Sequence, residues 1–346
     1  MSPDLLYLDH AATAPLLPEA RSAWLEGAAL WANPSSPHRQ GRAARAALEN
    51  ARERVKGALD WQGELIFTSG ASEALAIALT RCVRPVSAIS AVEHDAVLRL
   101  CEGVPRLRVD NGGLVEVGEA EAGLVAIQHV NNETGVIQDL ESIASTMRAA
   151  GGLLLADCAQ SAGKLPLPAA DMIAVSAHKF GGPIGIGALL VRDWAILRPS
   201  GGQERGYRAG TENLPGALAM AAALEADRTW LERAARLRAR LENGIRAAGG
   251  AVVGNAARRI PTVGAYRMPG VSSAVQLIRF DAQGIAVSAG SACSSGSLKP
   301  SHVLTAMGVD GAAEVVRVSI GRETGSHDVD RFLAAWQEVA RGRAAA

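Results

Sequence analysis

Short apolar runs of strand length recur along the chain, and each stops at a small or polar residue. Glu64-Leu65-Ile66-Phe67 ends in Thr68-Ser69-Gly70-Ala71-Ser72-Glu73, and further runs occupy Val86–Ser90, Leu124–Val130, Leu153–Ala156, Met172–Ser176 and Ala188–Val191. Between them lie stretches of helical character. Arg39 to about Leu59 is rich in Ala, Arg and Glu, and Leu140–Ala150 is closed by Gly151-Gly152. Ser72 is placed to cap a helix over Ala74–Leu79. Continuous apolar strands alternating with helices predict a mainly parallel sheet covered on both faces, the α/β class. Leu218–Ala248 carries apolar residues near helical spacing, either as a helix joining two domains or as one wholly inside the first. Beyond it, Ala251–Val253, Thr262–Tyr266, Val271–Arg279 and Val315–Ile320 read as shorter strands, followed by a helix near the C-terminus. This is the pattern of a smaller α+β domain.

Composition narrows the class. At 346 residues the chain exceeds the usual size of one core, so a large and a small domain are expected. Apolar residues make up 48% and charged residues 20%, enough for a sizeable core. A formal net charge of +0 argues against nucleic acid or an anionic membrane as partner. No run approaches the roughly 20 apolar residues of a membrane span, and Met1-Ser2-Pro3-Asp4 lacks a secretory pattern. The four cysteines, Cys82, Cys101, Cys158 and Cys293, form no C-x-x-C pair, so reduced thiols in a cytoplasmic protein are expected and no metal site.

Candidate chemistry clusters at strand ends. Ligands of open α/β sheets bind outside the carboxyl ends of the strands, and Met172–Ser176 leads straight into Ala177-His178-Lys179 and a glycine-rich turn to Gly187. Taken alone, Lys179 is also readable as a strand-end lysine reaching into water. Thr68–Ser72 joins a strand to a helix start, an anion cradle or simply a cap. Asp157 ends a buried run, where a carboxylate needs a partner or a raised pKa. An amine able to form an imine, an acid for a ring nitrogen and an anion cradle are together the parts of a pyridoxal phosphate site. His94 offers a flat ring and Asn132 ends another strand as a donor. Cys293, among the small polar residues Val287–Ser297, reads as a thiol on an exposed loop, whereas Cys158 reads as structural. Arg317 suits a bidentate grip on a carboxylate, or is a surface strand residue.

At this point the chain resembles a known family. Tyr7-Leu8-Asp9, Asn33-Pro34-Ser35-Ser36-Pro37-His38, Phe67-Thr68-Ser69-Gly70-Ala71, His129-Val130-Asn131-Asn132-Glu133, Ser176-Ala177-His178-Lys179, Gly290-Ser291-Ala292-Cys293 and Ser319-Ile320-Gly321-Arg322 occur in the order of the pyridoxal-phosphate-dependent cysteine desulfurases. These are the nitrogen-fixation and iron–sulfur-assembly type of the class V aminotransferase superfamily. The resemblance implies fold type I of the pyridoxal phosphate transferases. A large domain over 15–249 would hold a mainly parallel seven-stranded sheet, and a small α+β domain over 1–14 and 250–346 would carry the cysteine loop.

The resemblance also implies roles. Lys179 would anchor the cofactor and move the substrate's Cα proton. Asp157 would pair with the pyridine nitrogen, Gln160 with the ring oxygen, and Asn132 would sit beside that oxygen and the substrate. Ala71, Ser72, Ser176 and His178 would bind the phosphate, and Thr211 would reach the phosphate of the other subunit of a homodimer. His94 would stack on the ring and transfer protons, and Arg317 would hold the carboxylate of L-cysteine. Cys293 would take the sulfur as a persulfide, releasing L-alanine, and pass it to an acceptor protein for iron–sulfur clusters or other sulfur-containing cofactors. The alternatives are a selenocysteine lyase, another class V enzyme such as an aminotransferase, and a non-catalytic regulator of sulfur transfer. Relative to the family's usual pattern, Ser72 replaces a threonine, and Ala76 and His10-Ala11 stand where asparagines are common. The stretches between His94 and Asn132, between Cys293 and Arg317, and after Arg322 are short.

Overall fold

The computed structural model describes residues 5–118, 122–290 and 301–342. The chain opens with β1 (Leu6–Tyr7) and then builds a seven-stranded sheet. Its strands are β2 (Glu64–Thr68), β3 (Val86–Ser90), β4 (Arg106–Leu107), β5 (Leu124–Gln128), β6 (Leu153–Asp157), β7 (Met172–Ser176) and β8 (Gly187–Val191). They lie in the order β2-β8-β7-β6-β5-β3-β4, and only β8 runs antiparallel to its neighbours. Every residue of β5, β6, β7 and β8 is buried, as a sheet packed on both faces requires.

The helices on the two faces are amphipathic for identifiable reasons. In α1 (Pro18–Ala29), Ala20, Ala23 and Gly27 are buried. In α2 (Arg39–Ala58), Ala44, Leu48, Ala51 and Val55 repeat at helical spacing, and His38 caps the start by accepting from Gly41 N. α3 (Ala71–Arg81) begins at Ala71 with Gly70 as its N-cap, so Ser72 lies within the first turn and is not the cap expected above. α4 (Asp95–Leu98) follows β3, and α5 (Leu140–Ala149) starts at Asp139, whose carboxylate accepts from Ser142 N.

Leu218–Ala248 is two helices, not one. α6 (Leu214–Glu225) is buried almost all round against the large sheet's core, and α7 (Trp230–Ala247) turns Leu237, Leu241 and Ile245 into a separate cluster. Ala226 leaves helical geometry (ψ 152), and the Asp227 carboxylate binds both the N–H and the hydroxyl of Thr229. That local turn competes successfully with helix continuation.

The C-terminal part holds β9 (Ala251–Val252), β10 (Val263–Arg267), β11 (Ile285–Ala286) and β12 (Val315–Ser319), with β12-β10-β9 antiparallel and β11 paired to β1. Leu6 and Leu8 share a core here with Tyr266, Phe280, Phe332 and Trp336. Val271–Arg279, expected as a strand, is helical: α8 (Ser273–Asp281) is capped by Ser272 and buries Gln276 and Phe280, four residues apart. The β-branched residues there misdirected the reading, and the serine cap was the contrary signal. α9 (His302–Ala306) and α10 (Ser326–Arg341) complete the described chain. None of the described helices is long and apolar enough to cross a membrane.

Candidate active site

The site follows from strand direction. β6 and β7 run parallel, and two antiparallel steps through β8 bring β2 back to the same direction. The carboxyl ends of β2, β5, β6 and β7 therefore share one edge, as expected for a ligand site of this sheet class. A cavity of about 390 Å³ opens there, lined by Ser72, His94, Asn132, Asp157, Ser176 and Lys179 among others.

One wall is the first turn of α3. Its leading N–H groups lie beyond the reach of intrahelical partners, and the helix dipole is positive at that end. Close packing keeps the turn in place: a Cβ on Gly187 would stand 2.7 Å from Gly70 Cα, so the start of β8 must be glycine. Ser176 Oγ lies 3.5 Å from the point where a Cβ on Gly70 would sit, which puts its hydroxyl at the same cradle. His178 Nδ1 pairs with Thr13 Oγ1 at 3.2 Å, and burial with the nearby Lys179 and Lys164 holds its pKa down at about 4, so the ring is neutral.

Lys179 ends a short 3-10 turn that β7 feeds directly. Its Nζ donates to the carbonyls of Ala11 (2.7 Å) and Ala12 (3.0 Å), so the amine is directed inward and the reading of a lysine in open water fails. Asp157 is buried at the end of β6. Burial raises its pKa, while the Ala159 N–H bound to Oδ1 and the charges of His94 and Lys179 oppose the rise. Gln160 donates to Ala11 O at 2.8 Å, leaving its buried Oε1 with no hydrogen-bond partner among the described residues. His94 caps α4 by accepting from Ala96 N on Nδ1, which assigns the ring proton to Nε2.

Arg317 is buried, not a surface strand residue. It donates to Asp9 Oδ1 (2.8 Å) and to Asn132 O (3.1 Å), and its Nε has no hydrogen-bond partner among the described residues. The Asp9 pairing was not anticipated; Tyr7-Leu8-Asp9 stood out only as a motif, with no signal linking it across 308 positions. Thr211 is exposed and absent from this cavity. Its loop is held by Glu204, whose carboxylate binds Arg52 and Phe67 N, and by Arg208, which pairs with Glu73 in the first turn of α3.

Cys293 lies outside the described residues. The flanks of its segment, however, meet at one carboxylate. Ser301 Oγ donates to Glu133 Oε2 at 2.6 Å, and a Cβ on Gly290 would come within 1.9 Å of the same oxygen. Glu133 follows Asn132, so that segment leaves and re-enters the described chain beside the cavity. Glu133 itself was not singled out as a candidate.

Comparison with known proteins agrees with this picture. The family described as aminotransferase class-V matches residues 6–332. A cysteine desulfurase of Cereibacter sphaeroides is 37% identical over 362 residues, spanning 95% of this chain and 94% of its own. One from Gluconacetobacter diazotrophicus is 36% identical over 365 residues, spanning 95% and 91%. Among solved structures, the NifS-like protein of Rickettsia africae superposes with a TM-score of 0.87 at 27% identity, covering 97% of this chain and 99% of that one.

Proposed function

The chain belongs to the class-V aminotransferase family and, within it, to the pyridoxal-phosphate-dependent cysteine desulfurases, and from that premise we propose that it converts L-cysteine to L-alanine and retains the sulfur on Cys293. One observation carries the reading: an inward-directed amine, a buried carboxylate and a helix-start anion cradle converge on one cavity of about 390 Å³. The residues fit pyridoxal phosphate. The orphaned Gln160 Oε1 and the neutral His178 ring offer polar contacts to a ligand, and the cradle suits a phosphate. When bound, that cofactor supplies an electron sink for charge developing on the substrate's carbon chain.

Each residue of this chain then has a task. Lys179 Nζ would hold the cofactor through its aldehyde carbon and would carry the substrate's Cα proton. Asp157 would keep a proton on the pyridine nitrogen, since a carboxylate with little water around it gains most from a cationic partner. Ala71 and Ser72 through their N–H groups, with Ser176 Oγ and His178, would hold the phosphate. Gln160 and Asn132 would serve the ring oxygen. His94 would stack on the ring and move protons through its Nε2. Arg317, with Nε unpaired, receives the substrate carboxylate.

The Cys293 thiolate attacks the substrate's sulfur: an S–S bond forms and the C–S bond breaks. The electron pair passes to the carbon chain, which is protonated and leaves as alanine. Both flanks of residues 291–300, Gly290 and Ser301, meet at Glu133, the residue after Asn132 of the cavity wall.

A homodimer belongs to the same reading. Trp24, Leu25 and Trp31 expose large apolar surface, and Thr211 stands outside its own cavity, as a residue serving a second copy would. The buried free thiols Cys82, Cys101 and Cys158 support a cytoplasmic setting. An acceptor protein would collect the persulfide sulfur for iron–sulfur clusters or other sulfur-containing cofactors.

The test is stoichiometric. Protein loaded with pyridoxal phosphate and given L-cysteine should form alanine and, on the peptide containing Cys293, one persulfide per first alanine. Alanine without sulfur on that peptide would overturn the proposal. A second outcome separates chemistry from folding. Asp157→Asn should lower turnover roughly a hundredfold or more by removing a charge aimed at the reacting system. The cofactor-free protein should meanwhile melt at the same temperature or higher, because a buried carboxylate has been replaced by a neutral isostere. Turnover and thermal melting of the same preparation measure both.

A further inference from the structure

We propose that Arg208 is a positioning residue for the phosphate end of the active site: by pairing with Glu73 it lets a cradle that carries a carboxylate of its own accept a dianion. The inference deepens the proposed function and rests on its reading of the first turn of α3 as the phosphate cradle. Glu73 belongs to that turn and lines the same cavity as Ser69, Gly70, Ala71 and Ser72. Its Oε2 accepts from Ser69 N, and its Oε1 accepts from Arg208 Nε at 3.0 Å. Arg208 does not line the cavity, so it reaches the carboxylate from outside.

Without that pair the charges at this end do not balance. A phosphate monoester carries about −1.5 to −2 at neutral pH. The cradle meets it with backbone N–H groups, the Ser176 hydroxyl and the neutral His178 ring. The lysine and arginine of the cavity wall are directed elsewhere, Lys179 to the carbonyls of Ala11 and Ala12, Arg317 to Asp9 and Asn132 O. Glu73 adds a negative charge. Burial works to raise its pKa, yet the Ser69 N–H and Arg208 outweigh burial and hold the carboxyl below its usual value. Among the described residues Arg208 is its one ion-pair partner.

Arg208 is itself held firmly. Glu204, earlier in the same loop, binds Arg52 (2.7 Å) and Phe67 N (2.9 Å) of β2, the strand that runs into the cradle. The Tyr207 ring stacks on Trp194 with centroids 4.2 Å apart, and Gln203 accepts from the N–H groups of Arg208 and Gly210. A guanidinium fixed in this way loses little freedom on pairing, which favours the ion pair although it is only half-buried.

Full-length cofactor-free protein can be titrated in parallel with pyridoxal phosphate and with pyridoxal, which lacks the phosphate, and read by yellow absorbance. Arg208→Met should weaken pyridoxal phosphate about tenfold and leave pyridoxal unchanged, because only the phosphate meets the uncompensated carboxylate. Arg208→Lys, which retains the charge, should stay within about threefold of wild type. Glu73→Gln, whose amide oxygen can still accept from Ser69 N, should bind pyridoxal phosphate at least as tightly as wild type. Combined with Arg208→Met, it should restore affinity to within about threefold of wild type. Inorganic phosphate gives a readout independent of Lys179: Arg208→Met should need about ten times more of it for the same rise in melting temperature. Equal losses of pyridoxal phosphate and pyridoxal, or equal effects of Met and Lys, would mean a general structural role and overturn the proposal. A double variant no better than Arg208→Met, or a Glu73→Gln protein that binds pyridoxal phosphate more weakly than wild type, is equally fatal. If the inorganic phosphate series behaves as stated but wild type takes up neither pyridoxal phosphate nor pyridoxal, the pairing stands and the proposed function falls.

Discussion

Lys179→Ala is expected to stay colourless after incubation with pyridoxal phosphate and washing, and to form alanine from L-cysteine roughly a thousandfold more slowly or worse. The loss is chemical rather than structural. Lys179 is half-buried, and its hydrogen bonds to the carbonyls of Ala11 and Ala12 are worth about 1 kcal/mol each. The melting temperature of the cofactor-free protein should therefore drop by only a few degrees. Lys179→Arg makes the distinction sharper: it can still donate to both carbonyls and is still a cation, yet its guanidinium is never neutral and forms no imine. It should be colourless too. Absorbance of the washed protein and alanine release are the measurements. A yellow, active Lys179→Ala protein would move the anchor to the adjacent Lys164.

The second large effect falls on Cys293→Ser. This variant should bind pyridoxal phosphate with an unchanged spectrum and respond to L-cysteine with a spectral change, but alanine formation should drop roughly a hundredfold, with no persulfide anywhere on the chain. The other thiols cannot substitute. Cys82, Cys101 and Cys158 are buried, and burial pushes all three thiols up in pKa, strongly so for Cys158, which removes the reactive thiolate. Cys158 is the informative control because it directly follows Asp157. Persulfide found there by mass, or wild-type alanine formation in Cys293→Ser, would reject the assignment of the sulfur to Cys293.

Most strands were legible because their evidence is local. Leu153–Asp157 and Met172–Ser176 are uninterrupted apolar runs stopped by a polar residue, and a strand buried on both faces has no other appearance. Failures occurred where a single side chain outweighed the pattern. Ser272 turned a β-branched stretch into α8, and Asp227 with Thr229 broke one periodic stretch into two helices. Lys179, Asp157, Asn132, Ser176 and His178 line one cavity because they end or closely follow strands, and strand ends of one direction share an edge.

What the sequence by itself determined was the α/β class, most strands of the large sheet, and the residue types presented at that sheet's edge. All depend on neighbours within a few positions. The tertiary structure alone decided that Arg317 pairs with Asp9, that Ala11 and Ala12 direct the Lys179 amine, and that Glu133 meets both flanks of residues 291–300. Such pairings join residues far apart in the chain, and no periodicity reports them. They exist because packing excludes water, and a buried charge or polar group is then governed by whatever the fold has brought beside it.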